Sequence, residues 1–353
     1  MFENNTIQTN TVAKTIGELF EFVYDDDGKQ IPALSMPAQS WDIPVDRPQT
    51  CPTIDAKYSF RKAPMRSVLN YLRAPSGDGL FLCGPTGSGK TTLVKQIAAR
   101  LGWGVREVNI SDRFEFGSLV GHFTTRSEFP GEAPEMSFVD GPLVQAMENG
   151  EILILNEIDL ADPGEIAGLN DILEGGNLTV VDDGGRIVEP HPNFRIVATA
   201  NSNGSGDETG RYSGIKTMNL AFMDRFRVIK VDYPPSLVEA EIVNRIWPLG
   251  KEICKGMVEL ADHVRRGFAD GRFSVTLSTR TLLRWARGTM EYRGAPNALR
   301  EAIWESLLNR TPASEAESIL DTCKMIFGPD LWNDGKTAKA VKAKATKARG
   351  TEA

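Results

Sequence analysis

Three almost uninterrupted apolar runs organise the chain: Leu80-Phe81-Leu82-Cys83, Ile152-Leu153-Ile154-Leu155 and Ile196-Val197-Ala198-Thr199-Ala200. Each has the length of a strand and stops at glycine or polar residues, the pattern of strands buried on both faces of a parallel sheet. Between them the spacing changes to three and four. Met65, Val68, Leu69 and Leu72 predict a helix from Pro64, and residues 92–99 and 140–147 predict two more. Further strands are expected at 105–110 and 228–231, the second preceded by a helix that closes at residues 222–226. Asp182-Asp183-Gly184-Gly185, between residues 178–181 and 186–188, reads as a β-hairpin turn. Beyond Asp232-Tyr233-Pro234-Pro235 the pattern is helical throughout, at 238–246, 253–268 and 281–292, with more helix in 294–328. The fold class that follows is α/β, a parallel sheet flanked by helices, with a small all-α section after it.

Two stretches resist this reading. Residues 15–24 carry Ile16, Leu19, Phe20 and Val23, enough for a short helix or a strand, and Asp25-Asp26-Asp27-Gly28 ends it with a turn. Pro32, Pro37, Pro44, Pro48 and Pro52 then forbid long regular structure and suit either an extended strap or a plain linker. Residues 111–150 form the most irregular part of the core, with Phe114, Phe116, Phe123, Phe129 and Phe138 among Gly and Pro. Those aromatics either contact a substrate or line a pore, or pack a long loop.

A length of 353 residues, 41% hydrophobic and 25% charged, is enough for about two domains. No apolar run approaches the roughly 18 residues that span a bilayer, and the start lacks a basic segment followed by an apolar one, which points to the cytoplasm. Four dispersed cysteines without C-x-x-C spacing read as reduced structural thiols, and three histidines make a His-rich metal centre improbable. The net charge of −7 conceals an asymmetry. The stretch from Lys336 onward holds five lysines and Arg349 against Glu352, so the rest is more acidic than the total and repels nucleic-acid phosphates. The Ala/Lys-rich tail is either a disordered solubiliser or a contact for RNA, DNA or an acidic protein.

The chemistry is carried first by Gly84-Pro85-Thr86-Gly87-Ser88-Gly89-Lys90-Thr91, followed by Thr92, between a predicted strand and a predicted helix. It fits G-x-x-x-x-G-K-[ST]: glycines let backbone N–H groups turn inward on a phosphate chain at a helix start, Lys90 reaches the outer phosphates, and Thr91 puts its hydroxyl on Mg²⁺. The expected ligands are ATP and Mg²⁺. The run 152–155 then delivers Asn156 and Glu157 to the carboxyl edge of the sheet, where open α/β sheets bind ligands. Glu157 is placed to orient an attacking water. Asn156 stands where such a strand normally carries an aspartate for the metal, and an amide offers hydrogen bonds but no charge. A weakened metal site is expected, with Asn156→Asp raising turnover and lowering the Mg²⁺ required. Asn201 ends the third run, where its amide can hold the γ-phosphate or the water.

The order of parts resembles an AAA+ ATPase of the helix-2-insert group, in the MoxR branch, and within it the CobS-like ATPases of aerobic cobaltochelatases. The residues that carry the likeness are 186–195 (Arg-Ile-Val-Glu-Pro-His-Pro-Asn-Phe-Arg), Ala198-Thr199-Ala200-Asn201, the loop 206–214 and Met223-Asp224-Arg225-Phe226. The resemblance implies an AAA+ P-loop core with a small C-terminal helical lid: a Pro-rich lead-in over 1–60, the core with its helix-2 insert and pre-sensor-1 hairpin over 61–233, the lid over 234–330 and a basic tail over 331–353. It also implies roles. Asn201 matches the sensor-1 residue, Arg225 the arginine finger that enters a neighbouring subunit's ATP site, with Arg211 as a second candidate, and Arg280 the sensor-2 residue of the lid. A homo-oligomeric ring, usually a hexamer, and a von Willebrand A-type (CobT-like) partner are implied as well, with no membrane and no nucleic acid except through the tail. Three functions stay open: an ATP-driven remodelling enzyme, a nucleotide-gated assembly protein that hydrolyses slowly or not at all because of Asn156, and a McrB-like nucleic-acid motor. Cobalt insertion does not follow, because the chain holds no evident metal-ligand cluster.

Overall fold

The sheet at the centre has five parallel strands, β1 (Gly79–Cys83), β2 (Val105–Asn109), β3 (Ile152–Asn156), β4 (Arg195–Ala200) and β5 (Phe226–Lys230), in the order β5-β1-β4-β3-β2. These come from a computed structural model that describes residues 10–126, 135–204, 206 and 214–332. Strands β1, β3 and β4 are buried along their whole length, whereas β2 and β5 at the edges alternate. The apolar runs are explained by two cores, one on each face. Leu80, Leu82, Ile152, Ile154 and Val197 face one, and Phe81, Leu153, Leu155, Ile196 and Ala198 face the other.

Helix α1 (Lys62–Arg73) and helix α2 (Lys90–Leu101) cover the first face through Val68, Leu69, Leu72, Leu93 and Ile97, and α3 (Pro142–Asn149) covers the second through Leu143, Val144 and Met147. The Pro-rich lead-in is a strap. Ser40–Pro44 pairs antiparallel with Thr11–Thr15, and Val23–Tyr24 runs parallel to Phe60–Arg61. Ile16, Phe20, Val23 and Ile43 sink into the same core as α1 and α2. The undecided stretch 15–24 is both things, a one-turn helix (Ile16–Leu19) and then the short strand. Residues 111–150 are more regular than their sequence, with Gly121–Arg126 pairing antiparallel with Glu135–Asp140. Of the aromatics there, Phe114 is buried, Phe116 and Phe138 pack on the core, Phe123 is exposed, and Phe129 lies outside the described residues.

Buried polar groups at the amino ends of β3 and β4 are neutralised locally. Arg195, 7% exposed, donates from Nε and Nη2 to the Leu72 carbonyl (2.9 and 2.8 Å) and from Nη1 to those of Pro192 and Phe194 (2.8 and 2.7 Å). Its guanidinium lies 5.5 Å over the Trp103 ring, and burial pulls its pKa below the usual arginine value. Glu151 accepts from Thr50 and Arg106, and the Tyr71 hydroxyl donates to the Ile196 carbonyl at 2.7 Å.

The chain separates into two units, the second made of Asp26–Lys29 and residues from Tyr233 onward. In that unit α4 (Ser236–Ile246), α5 (Lys251–Ala269), α6 (Thr279–Glu291), α7 (Ala298–Ser306) and α8 (Ala313–Leu331) pack around Leu260, Leu282, Trp285 and Ile303. Glu239, fully buried, is held bidentately by Arg265 (2.7 Å to each oxygen) and by Thr279 at 2.5 Å, and Arg265 also stacks 3.9 Å over Tyr233. With its partners in place this carboxylate is accommodated, and loss of either would strand a buried charge.

Candidate functional site

The phosphate loop leaves β1 at its carboxyl end and runs into α2. Gly84, Gly87 and Gly89 all have positive φ (148°, 67° and 91°), and a Cβ on residue 84 would collide with the Val231 carbonyl, so the first of them has no substitute. Pro85 and Thr86 are half-buried within the loop, and Thr92 is exposed on the first turn of α2. Ser88 is buried with a hydroxyl oxygen that has no partner. An orphaned polar atom inside a glycine cradle at the start of a twelve-residue helix suits a phosphate oxygen. Lys90, 8% exposed, donates to the carbonyls of Gly84 (2.7 Å) and Pro85 (3.1 Å) and to Asn201 Oδ1 (3.1 Å). The lysine of the loop and the residue just past β4 are therefore brought together.

One row across the sheet holds Asn156, the position expected from the sequence to face a metal. In the strand register Asn156 lies level with Asn109 on β2 and Thr199 on β4. Its Oδ1 accepts from Thr91 Oγ1 (2.7 Å) and Thr199 Oγ1 (3.1 Å), and its Nδ2 donates to Glu107 Oε1 (2.6 Å) and Asn109 Oδ1 (3.1 Å). All four hydrogen-bonding positions of the amide are used. A hard divalent cation takes oxygen ligands, commonly a few from protein and the rest from phosphate and water. Thr91 Oγ1 and Asn156 Oδ1 fit that need as neutral oxygens. Among the described residues no group of three or more His, Cys, Asp or Glu side chains could hold a metal by itself.

Glu157, the first residue past β3, stands in the left-handed region at φ 57°, ψ 43°, with its side chain exposed at the sheet edge. A non-glycine residue there is strained by about 1 kcal/mol or more, a cost that recurs at functional positions. Two residues later Asp159, 1% exposed, accepts at Oδ2 from the backbone N–H groups of Asn201 (3.0 Å) and Ser202 (3.1 Å) and from the Ser202 hydroxyl (3.1 Å), while its Oδ1 has no partner. Asp159 thus ties the turn after Glu157 to Asn201. Sequence reading missed Asp159, Thr199, Asn109 and Glu107. The last two share one face of β2 by their spacing of two, a signal that points to a common direction but not to a target.

The remaining candidates lie elsewhere. Arg225 sits just before β5, and its carbonyl accepts from Gly79 N–H at the first residue of β1 (2.8 Å). It is therefore at the amino edge, five residues of strand, or roughly 16 Å, from the loop. Its guanidinium pairs with Glu174 (2.8 Å) and the Ala221 carbonyl (2.5 Å), and its Nε is buried with no partner. Arg280 is exposed on the first turn of α6, in the second unit. Arg211, most of the loop 206–214, and the basic tail lie outside the described residues.

Residues 79–226 match the AAA domain of the dynein-related subfamily, and residues 239–325 match the CbbQ/NirQ/NorQ C-terminal family. The chain is 30% identical over 287 residues to aerobic cobaltochelatase subunit CobS from Sinorhizobium sp, covering 79% of this chain and 84% of that one. An uncharacterized protein of Staphylococcus haemolyticus is 34% identical over 196 residues, covering 55% and 71% respectively. Among solved structures, the Thermotoga maritima RuvB Holliday junction branch migration motor matches with a TM-score of 0.43 at 15% identity, over 75% of this chain and 76% of that one.

Proposed function

This chain belongs to the AAA+ ATPases of the MoxR branch, and we propose that within that family it binds ATP with Mg²⁺ and hydrolyses it to remodel a partner complex. The observation that carries the reading is the convergence on one sheet edge of an incompletely satisfied phosphate loop, Lys90 against Asn201, and Thr91 against Asn156. Lys90 and the loop N–H groups hold the phosphates. Thr91 and Asn156 offer oxygens to Mg²⁺, whose contribution when bound is to neutralise charge on the phosphate oxygens. Glu157 orients a water for in-line attack and accepts its proton, while Asn201 hydrogen-bonds the γ-phosphate or that water.

Arg225 cannot serve its own loop from the opposite edge of the sheet. It acts on the nucleotide of a neighbouring copy, stabilising charge that develops on the γ-phosphate, and such a head-to-tail contact closes into a ring, in this reading a hexamer. Arg280, on the first turn of α6, keeps the sensor-2 role that the resemblance implies. The CobS relative is a subunit of a cobaltochelatase, which favours work on a partner complex; the resemblance drawn from the sequence makes that partner one with a von Willebrand A-type domain. Because Asn156 brings no charge of its own, a second reading retains weight: a nucleotide-gated ring that turns over slowly. The McrB-like reading has only the tail for support. No helix among the described residues is long and apolar enough to cross a membrane.

Arg225→Ala separates these readings. Calorimetric ATP affinity of the isolated chain stays within about twofold of wild type, phosphate release falls by about a thousandfold, and mixing the variant into wild type poisons activity more than in proportion. Strictly proportional loss on mixing sinks the ring.

A further inference from the structure

The amide at position 156 is a departure from the family's usual aspartate, and the structure shows what stands around it. Its Nδ2 hydrogens demand acceptors. They find the Glu107 carboxylate at 2.6 Å and Asn109 Oδ1 at 3.1 Å, both from β2, and this settles the orientation of the side chain. Turned over, the amide would still find acceptors in the hydroxyls of Thr91 and Thr199, but its oxygen would face the Glu107 carboxylate and Asn109 Oδ1, exchanging two matched contacts for repulsive ones. Glu107 is itself held on its other oxygen by Lys95 at 2.7 Å, with the lysine 40% and the glutamate 32% exposed. An aspartate at 156 would meet Glu107 oxygen to oxygen at hydrogen-bond distance. Two carboxylates so placed cannot both ionise freely.

We propose that Glu107 is a positioning residue for the metal site: through Asn156 it points Oδ1 at Thr91, and it supplies from the neighbouring strand the negative charge that position 156 lacks. The usual acid has been displaced by one strand, with the Asn156 amide as the link between the charge and the oxygens that face the ion. The inference rests on the reading of Thr91 and Asn156 as the Mg²⁺ position. It reverses the simpler expectation from sequence, that Asn156→Asp by itself improves the site. That substitution helps only when Glu107 is neutral.

The test is a cycle of four proteins, wild type, Glu107→Gln, Asn156→Asp and the double variant, read by the calorimetric affinity for ADP as Mg²⁺ is raised and by the electron paramagnetic resonance signal of Mn²⁺ with ADP. Affinity for ADP in EDTA serves as the folding control. Glu107→Gln weakens the Mg²⁺-dependent part of ADP affinity by about tenfold, Asn156→Asp alone gives no gain, and Asn156→Asp in the Glu107→Gln background recovers about tenfold. Lys95→Met, which leaves Glu107 without its counter-ion, tightens the Mg²⁺-dependent part, the opposite sign from Glu107→Gln. A purely structural Glu107 would make both variants weaker. Equal effects of Asn156→Asp in the two backgrounds, or the same sign for Lys95→Met and Glu107→Gln, overturn the proposal while leaving nucleotide binding standing. No ADP binding by wild type, with or without Mg²⁺, overturns the reading of the loop and this proposal together.

Discussion

The two ends of the central strands treat buried polar groups in opposite ways. At the amino ends of β3 and β4 every polar side chain described above is satisfied from within: Arg195 spends its donors on three carbonyls, and Glu151 is held by Thr50 and Arg106. At the carboxyl ends Ser88 Oγ and Asp159 Oδ1 are buried without partners, and Glu157 occupies a left-handed conformation. One end is complete as a folded object and the other leaves buried polar atoms open. A buried group left unsatisfied costs about 1–3 kcal/mol, so an unfinished edge persists only where the rest of the fold over-determines it. The exception at the amino edge is instructive, because the orphaned Nε there belongs to Arg225, the side chain proposed above to act on a neighbouring copy.

Substitutions at the two ends should part company in the same sense. Lys90→Ala has the largest effect expected: ATP affinity falls by at least about a hundredfold, since charge-assisted contacts to phosphate are lost, while the melting temperature without nucleotide stays within a few degrees of wild type. Calorimetry and a thermal melt check it, and equal ATP affinity in both proteins would rule out the phosphate loop as the site. Arg195→Ala does the reverse. It leaves the carbonyls of Leu72, Pro192 and Phe194 without donors and lowers unfolding stability by about 3 kcal/mol in denaturant titration, with the ATP affinity of the folded fraction unchanged. A loss below about 0.5 kcal/mol would show that water replaces the guanidinium at no cost. The smallest effect sharpens the comparison most. Glu157→Gly relieves the left-handed strain and raises stability by about 0.5–1 kcal/mol while removing hydrolysis, so a variant that is both inactive and no more stable would argue against stored strain at this position.

What the sequence makes legible divides along the same line. The strands β1, β3 and β4 announce themselves because both faces are buried and their apolar runs are continuous. The phosphate loop is legible because its chemistry is local, eight consecutive residues with glycines where the backbone turns. The hairpin of Gly121–Arg126 with Glu135–Asp140 is not legible, since its strands mix polar and aromatic residues and one of the latter, Phe123, faces outward. The choice between helix and strand at 15–24 had no single answer, as four residues of one precede two of the other. At the site, Asn156 is visible as an anomaly, but its surroundings are not. Glu107 lies 49 positions away and meets it only because β2 and β3 pair with Asn109 level with Asn156. Asp159 is similarly hidden, its role set by where β4 ends in space.

The contact between Asn156 and Glu107 also constrains the histories open to this site. A lineage with aspartate at 156 and a neutral residue at 107 cannot reach the present arrangement by one substitution. It must pass through a protein with two acids in contact or through one with none, and under the role proposed for Glu107 neither intermediate holds a cation better than the present pair. Under that role, exchanging one member of the pair between related chains carries a penalty that neither residue predicts alone. A search for two consecutive acids along one strand would pass over chains that divide the same charge between neighbouring strands.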